Sequence, residues 1–350
     1  MQSDEPTLRH GTGAKDAPAL RHGTGTNAAP TLRHGTPAET ARALIRNVER
    51  VVHGKPDVIE RAVVCMIAEG HLLLEDVPGV GKTTLARALA RSIDGEFHRI
   101  QFTSDLLPSD LTGLAVPEIV DGRPTQRFHF QPGPIFANVV LADEVNRANP
   151  KSQSALLEAM SEGTVSVDGE THALPEPFFV VATQNPLEHH GTHPLPESQL
   201  DRFLMRLSIG YPDPVDEAAV LRNDPGRTAA AELDAVLEPG DLRALQTAAR
   251  EVKVDDTVVG YLLAIVEETR QNEALELGAS TRGALALRRA ATARALVDGR
   301  DYCIPEDVAA LAADVLAHRV LLAAGSGGQA GVEEARWVLS DLLGRVPVPL

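Results

Sequence analysis

Apolar residues recur with two different spacings along the chain, and these spacings predict an α/β part followed by a helical part. Short apolar runs bounded by turn residues predict buried strands at residues 72–74, 139–144, 178–182 and 204–209, and residues 97–102 alternate apolar and polar residues as a further strand. Residues 85–92 contain strong helix formers throughout and predict a helix between the first two strands. Strands and helices that alternate in this order predict a parallel sheet flanked by helices.

Two helices are predicted before the first strand. Thr36, Pro37 and Glu39 form a capping-box pattern, and the apolar spacing after it predicts a helix that runs to about residue 53. A second helix is predicted at residues 57–69.

Two stretches alternate apolar and polar residues around an Asp-Gly turn, a pattern typical of a β-hairpin. The first is residues 114–131, with its turn at Asp121, and the second is residues 165–174, with its turn at Asp168. We predict both as hairpin insertions in the α/β part.

From residue 239 onward the spacing is helical, and no strand is predicted. The predicted helices are residues 240–251, 255–272, 281–298, 305–323 and 331–344. We therefore predict a second, all-helical domain with a flexible break at residues 325–328.

The start of the chain repeats the sequence Leu-Arg-His-Gly-Thr at residues 8–12, 20–24 and 32–36. Too few large apolar residues lie between the repeats to bury a core, which predicts a disordered tail. Its evenly spaced histidines could bind a metal or a partner, but a duplication remnant is the simpler interpretation. The predicted organisation is a tail at 1–36, an α/β core at 37–210, a linker at 211–238 and a helical domain at 239–350.

Composition fits a globular protein of two domains, with 350 residues, 43% hydrophobic and 23% charged. The net charge of -16 argues against non-specific nucleic-acid binding, which needs basic residues on the phosphates. Only two cysteines occur, Cys65 and Cys303, which favours buried thiols in a reducing compartment. Because no apolar run is long enough to span a bilayer, we expect no membrane insertion and a cytoplasmic location.

Residues 72–84 have the layout of a phosphate-binding site: an apolar strand, a glycine-containing loop and the start of a helix. The loop and helix start would cradle a polyphosphate with Pro78, Gly79, Val80, Gly81, Lys82, Thr83 and Thr84. Lys82 would reach the β and γ phosphates, and the Thr83 hydroxyl would ligate Mg²⁺. Asp76 stands where the usual pattern has its first glycine, so the motif alone leaves an ordinary glycine turn open as the alternative.

Asp143 and Glu144 end a buried strand, at the edge of an α/β sheet where ligands bind. Asp143 would hold magnesium through water, and Glu144 would act as general base. Asn185, at the end of the next strand, would orient the attacking water. The structural alternative for Asp143 and Glu144 is an acidic start of a helix after a core strand. The alternative for Asn185 is an ordinary turn.

Three further features carry weaker signals. His189, His190 and His193 could bind zinc, but no cysteine or helical histidine spacing supports a closed site. Arg202 stands just before the last predicted strand. Arg282 lies in the first turn of a predicted helix, an unfavourable place for a cation unless it faces an anion.

Together these residues resemble the AAA+ ATPases, and within them the MoxR family. The resemblance covers roughly residues 38–345 and rests on five ordered motifs, at residues 75–83, 130–136, 142–148, 182–186 and 195–203. It implies an AAA+ P-loop core, with two hairpin insertions and a C-terminal helical lid. The repeat tail has no counterpart, and the family usually has an aromatic residue near His193.

The resemblance also implies residue roles. Lys82 and Thr83 match Walker A, Asp143 and Glu144 match Walker B, and Asn185 matches sensor 1. Arg202 matches an arginine finger offered to a neighbouring subunit, with Arg147 as the runner-up for an intersubunit contact. Arg282 matches the sensor 2 arginine of the lid.

The function that follows is hydrolysis of ATP to ADP, with Mg²⁺, by a homo-oligomeric ring of about hexamer size. The family implies a chaperone-like remodeller of client complexes, often with a von Willebrand factor A domain partner and sometimes for metal-cofactor insertion. The alternatives are a magnesium-chelatase-like or DNA-acting motor subunit, and a nucleotide-switched scaffold with little turnover.

Overall fold

The computed structural model describes residues 32–33, 35–121, 123–185, 192–223, 233–324 and 329–349. Its helices are α1 (Pro37–Glu49), α2 (Pro56–Ile67), α3 (Lys82–Arg91), α4 (Pro108–Thr112), α5 (Pro150–Glu162), α6 (Glu197–Leu200), α7 (Pro214–Asn223), α8 (Pro239–Glu251), α9 (Asp256–Gln271), α10 (Thr281–Val297), α11 (Pro305–Leu316) and α12 (Gln329–Leu343). Its strands are β1 (Leu72–Glu75), β2 (Phe97–Gln101), β3 (Gly113–Val120), β4 (Arg123–Pro132), β5 (Val139–Asp143), β6 (Thr164–Val167), β7 (Glu170–Ala173), β8 (Phe179–Gln184), β9 (Met205–Leu207), β10 (Leu275–Leu277) and β11 (Leu321–Leu322).

A five-stranded parallel sheet forms the centre of the α/β part, in the order β2-β5-β8-β1-β9. The buried strands alternate between two apolar clusters: Leu72 and Leu74 face one, and Leu73 faces the other. The register pairs Glu75 with Gln184 and Gln101 with Asp143, so the carboxyl ends of four strands meet at one edge. This arrangement confirms the predicted parallel sheet and places the predicted site residues along that edge.

Helix α1 begins at the predicted capping box. The Thr36 hydroxyl accepts a hydrogen bond from the Glu39 N–H, and the Glu39 carboxylate accepts one from the Thr36 N–H. Helices α1 and α2 then pack against α8 and α10. The segment before the glycine loop therefore joins the sheet to the C-terminal helices in a single apolar cluster.

Both predicted hairpins are present, as the antiparallel pairs β3–β4 and β6–β7. Phe130 of the first stacks on His172 of the second, with ring centroids 3.8 Å apart. Ile119 and Phe128 of the first hairpin are 72% and 63% exposed. The two insertions therefore contact each other, and the first of them has exposed apolar residues.

The C-terminal part is helical as predicted, but it also contains the short antiparallel ribbon β10–β11. The expectation of a domain without strands is wrong for this ribbon. The helix predicted at 305–323 ends at Leu316, because the side chains of His318 and Arg319 turn toward the core. Helix α7 lies within the predicted linker, and the domain boundaries remain predictions.

Several expectations fall on residues that the structure does not describe. They concern most of the repeat tail, the break at 325–328, and two of the three clustered histidines, His189 and His190. Within the described ranges, no helix is long and apolar enough to cross a membrane.

Arg319 fastens the C-terminal helices to the core. Its side chain is 3% exposed and pairs with the Asp201 carboxylate at 2.8 Å. It also donates to the carbonyl oxygens of Asp201 at 3.1 Å, Phe203 at 2.5 Å and Leu204 at 3.1 Å. A buried guanidinium with this many acceptors is satisfied in one position only, which fixes the C-terminal helices against the chain that leads into β9.

His71 precedes β1 and holds the start of that strand in place. Its Nε2 donates to the Met160 carbonyl at 3.0 Å, and its Nδ1 accepts from the Val180 N–H at 3.1 Å. This pair of contacts requires the neutral imidazole, since a charged ring has no acceptor. Burial lowers the pKa of His71 from 6.5 to about 4.

We expect the protein to lose stability as the pH falls from about 6.5 to about 4. Over this interval the unfolded chain binds a proton at His71 that the folded chain excludes, which costs the fold about 3 kcal/mol by pH 4. His71→Gln, which keeps a donor and an acceptor, should flatten the loss when urea unfolding is followed at several pH values. Some slope should remain, because burial also lowers the pKa of His318. An unchanged slope in His71→Gln would contradict this account.

Candidate functional site

The glycine loop leads from β1 into α3 with two backbone positions in the left-handed region. Gly79 has a φ of 88°, and Gly81, the N-cap of α3, has a φ of 96°. Residues that carry a side chain rarely adopt such φ angles, which explains the presence of glycine at both positions. The N–H groups of the first turn of α3, where Thr83 and Thr84 lie, are available to an anion.

A cavity of about 240 Å³ adjoins this loop. Its walls come from the chain after α1, from the loop and helix start, and from the chain after β9; they include Val52, Val80, Thr84 and Ile209. The cavity is partly apolar and opens beside the phosphate-binding backbone. It can therefore take a flat apolar group attached to a phosphate chain.

Lys82 lies between the ends of β1 and β8. Its ammonium donates to the carbonyl oxygens of Asp76, of Val77 at 3.3 Å and of Gln184 at 3.1 Å. These contacts hold the charge at the sheet edge beside the loop. Phosphate oxygens could take over some of these hydrogen bonds.

Asp76, the residue that departs from the usual glycine pattern, ties the loop to the end of β9. Its Oδ2 accepts from the Ser208 hydroxyl at 2.8 Å and from the Gly210 N–H at 2.6 Å, and its Oδ1 accepts from the Val77 N–H at 2.8 Å. Burial opposes the charge, but these hydrogen bonds outweigh it and lower the pKa of Asp76 below its ordinary value. The role of Asp76 was not found from the sequence, because two of its three partners, Ser208 and Gly210, lie more than 130 positions away.

Asp143 ends β5 with both carboxylate oxygens engaged. Oδ1 accepts from the Thr183 hydroxyl at 2.6 Å, and Oδ2 accepts from Nη2 and Nε of Arg99 at 2.5 and 3.2 Å. Arg99 extends from the edge strand β2. The carboxylate that the sequence assigns to magnesium is thus balanced here by a guanidinium.

Glu144 adopts a φ of 57°, in the left-handed region that is rare for a residue with a side chain. Its N–H donates to the Thr183 hydroxyl at 2.9 Å. Its carboxylate accepts from the Gln101 amide at 2.7 Å and pairs with Arg147 at 3.1 Å. Strain held by surrounding contacts is common where a side chain must be aimed, and here it aims a carboxylate at the sheet edge.

Asn185 follows β8 directly and is buried beside this group. Its carbonyl accepts from the Asn146 side chain at 3.4 Å, which ties the end of β8 to the turn after β5. Asp143, Glu144 and Asn185 thus lie at the ends of the neighbouring strands β5 and β8, and the Lys82 ammonium lies beside the end of β8.

Arg202 and Arg282 lie in a second group. Arg202 donates to the Leu157 carbonyl at 2.7 Å and to the Ser161 hydroxyl, both in α5. Arg282 is 71% exposed and pairs with Asp201 at 3.2 Å. Within the described chain, the hydrogen bonds and ion pairs of these two arginines do not reach the glycine loop.

A closed metal site at the clustered histidines finds no support in the described residues, which contain no group of three or more metal-ligating His, Cys, Asp or Glu side chains. His193, the described member, donates its N–H to the Asn146 carbonyl at 2.7 Å. The Thr83 hydroxyl, in the first turn of α3, and the Asp143 carboxylate, at the end of β5, are hard oxygen donors. They suit Mg²⁺, which keeps most of its water ligands, and the guanidinium on Asp143 shows that a cation is accepted there.

Sequence reasoning missed Arg99, Gln101 and Thr183. Arg99 and Gln101 lie two positions apart on β2, so they share one face of the strand. Polar residues at alternate positions beside the Asp143 strand were a usable signal, once the strand order was known.

We expect Asp76→Gly, which restores the usual glycine pattern, to lower both the stability of the protein and its affinity for nucleotide. Loss of the carboxylate leaves the Gly210 N–H and the Ser208 hydroxyl without their acceptor, which should lower the free energy of unfolding by about 2 kcal/mol. Thermal unfolding and nucleotide titration would both report the change, with weaker nucleotide binding because the loop loses its anchor. Asp76→Asn, which keeps one acceptor oxygen, should be less affected. A stabilised Asp76→Gly protein would contradict the anchoring role.

Comparison with known proteins agrees with this geometry. Residues 71–205 match the model of the "ATPase family associated with various cellular activities (AAA)", and residues 267–335 match the AAA lid domain. A crystal structure of a protein assigned as an ATPase, from Cytophaga hutchinsonii, superposes with a TM-score of 0.80 at 37% identity, covering 90% of this chain and 96% of that one.

Curated relatives extend the likeness over most of the chain. An uncharacterized protein, YeaC, from Bacillus subtilis is 47% identical over 87% of this chain and 94% of its own length. The chaperone MoxR1 of Mycobacterium tuberculosis is 44% identical over 81% and 76%, and the MoxR protein of Methylorubrum extorquens is 32% identical over 81% and 88%. With a parallel sheet, a glycine loop, a helical lid and these relatives, the chain belongs to the MoxR family of AAA+ ATPases.

Proposed function

We propose that this protein binds ATP with Mg²⁺ at the glycine loop and hydrolyses it to ADP and phosphate. The observation that carries the proposal is the convergence of Lys82, Asp143 and Glu144 on one edge of the sheet, beside the loop and the cavity. A phosphate chain along the loop would bring its terminal phosphate toward the two carboxylates.

Each residue then has one task. Lys82 exchanges carbonyl partners for phosphate oxygens, and Thr83 with Asp143 would hold Mg²⁺, which neutralises charge on the phosphates when bound. Glu144 takes the proton of the attacking water as the new oxygen–phosphorus bond forms and the bond to the β-phosphate oxygen breaks. Asn185 orients that water.

Arg202 acts on a neighbouring subunit in this proposal. Its contacts with α5 place it away from the glycine loop of its own chain, as a residue offered in trans would be. A finger in trans requires a ring, for which a hexamer is the size we propose. Arg282 would reach the phosphates from the lid by leaving Asp201.

We place this activity in a chaperone-like remodeller of client proteins. A relative named as a chaperone supports this role, and the exposed apolar residues of the first hairpin provide a surface for a protein client. A von Willebrand factor A domain partner, metal-cofactor insertion and a cytoplasmic location stay predictions. A magnesium-chelatase-like or DNA-acting motor and a nucleotide-switched scaffold are the competing functions, and the net charge of -16 disfavours action on DNA.

We expect Glu144→Gln to lower the ATPase rate by about 100-fold or more while ATP binding persists, since a general base contributes factors of this size. Phosphate release and fluorescent-nucleotide binding would be measured in parallel. Glu267→Gln, the same substitution at an exposed position of α9, is the matched control and should behave as the parent.

Unchanged hydrolysis in Glu144→Gln would refute the assigned base. A parent protein that binds nucleotide without any turnover, with magnesium and partners present, would instead favour the scaffold function. The same variant locked on ATP is the protein to use for capture of clients.

We expect Arg202→Ala and Glu144→Gln proteins, each nearly inactive alone, to recover part of the activity when mixed. In a mixed ring, the Glu144→Gln subunit supplies Arg202 to a neighbour that has an intact Glu144. Steady-state ATPase assays across mixing ratios would show a maximum between the two pure samples. Activity that never exceeds the pure samples, although mixed rings form, would rule out a finger in trans.

A further inference from the structure

The contact between Arg99 and Asp143 is not explained by the proposed reaction. Two guanidinium nitrogens of Arg99 lie 2.5 and 3.2 Å from the same oxygen, Oδ2 of Asp143. The other oxygen is taken by the Thr183 hydroxyl. Asp143 is 11% exposed, so its charge is largely removed from water and depends on these partners.

The surrounding charges balance in pairs. Asp143 and Glu144 are adjacent carboxylates that would repel each other, and each has its own arginine: Arg99 for Asp143 and Arg147 for Glu144. Gln101 links the two pairs, accepting from Arg99 at 3.2 Å and donating to Glu144 at 2.7 Å. The strand end is thus neutral within the chain itself.

A metal ion that uses Asp143 must compete with this arrangement. Magnesium needs charge and lone pairs from the carboxylate, and Oδ2 offers them to Arg99. The Arg99 side chain is 44% exposed on an edge strand, so it can leave Asp143 for solvent without repacking a core.

We propose that Arg99 is a displaceable counter-ion that occupies Asp143 in the metal-free protein and competes with Mg²⁺ for this carboxylate. This inference rests on the proposed function, since it concerns the same nucleotide site. Arg99 is a positioning residue here, because it acts on the metal only through Asp143. Its consequence is that the protein needs more magnesium than its oxygen donors alone would require, because only the fraction of molecules with Arg99 displaced is competent.

The test measures binding, not turnover. A fluorescent ATP analogue that resists hydrolysis would be titrated in EDTA and at increasing Mg²⁺, for the parent and for Arg99→Gln. We expect the Mg²⁺ concentration for half-maximal enhancement to fall roughly fivefold in Arg99→Gln, the effect of a partly exposed ion pair. Affinity in EDTA should stay the same, since Arg99 contacts Asp143 and Gln101 but none of the phosphate-binding loop.

Three variants make the interpretation specific. Arg250→Gln removes an equal charge from an exposed ion pair with Glu69 and should change nothing. Arg147→Gln removes an equal charge within the cluster but from Glu144, so its effect should be clearly smaller. In the Asp143→Asn background, Arg99→Gln should have no further effect on the magnesium requirement. Melting temperatures would confirm that each protein is folded.

The remaining outcomes overturn the proposal in distinguishable ways. A higher magnesium requirement in Arg99→Gln would mean that Arg99 prepares Asp143 for the metal, and no change would mean that the pair persists beside it. Equal shifts in Arg99→Gln and Arg147→Gln would assign the effect to local charge instead of the contact. A parent that binds no nucleotide with Mg²⁺ would refute the proposed function itself, and this inference with it.

Discussion

The position of β1 between β8 and β9 is the constraint on which the site depends. Parallel pairing brings the ends of these strands to one level, and the side chains that follow β1 then join it to both neighbours. Asp76 reaches the chain after β9 through Ser208 and Gly210, while Lys82 reaches the end of β8 through the Gln184 carbonyl. The glycine loop is thereby anchored at both ends, by Asp76 and by Lys82, and these anchors define the conformation of an otherwise flexible sequence.

The second factor is the pairing of charges. Although the net charge of the protein is -16, carboxylates at the site are paired with nearby donors. Three carboxylates at this edge of the sheet each have donors: backbone N–H and hydroxyl groups for Asp76, and guanidinium groups for Asp143 and Glu144. Such pairing offsets the cost of removing these charges from water. A ligand that binds as we propose would have to replace existing contacts at Lys82 and Asp143.

Local signals in the sequence predicted most of the fold. The capping box at Thr36, the glycine loop and the two Asp-Gly hairpins each depend on residues within a few positions of one another, and each is present. The sequence also indicated that the glycine loop, the two carboxylates and Asn185 all follow strands of one sheet, although the order of those strands was not predicted. Their meeting at the strand ends could be expected before the contacts were seen.

What the sequence did not yield depends on contacts between distant residues. The role of Asp76 needed the register of β9, and the roles of Arg99 and Gln101 needed β2 to lie beside β5. Helix α11 ends early although apolar residues continue after it, because His318 and Arg319 bind carbonyl oxygens of the core. No spacing pattern within residues 305–323 carries that information.

The ion pairs that Asp201 forms with Arg319 and Arg282 affect how the C-terminal helices can move relative to the core. Arg282 of α10 and Arg319, which follows the end of α11, both bind the carboxylate of Asp201, the residue that immediately precedes Arg202 in the chain. Because Asp201 is held by these two ion pairs, the chain at Arg202 cannot shift independently of the C-terminal helices. A rotation of those helices would therefore also move Arg202. In the ring that we propose, Asp201 would thereby link the position of a subunit's own C-terminal helices to the segment that presents Arg202 to the next subunit.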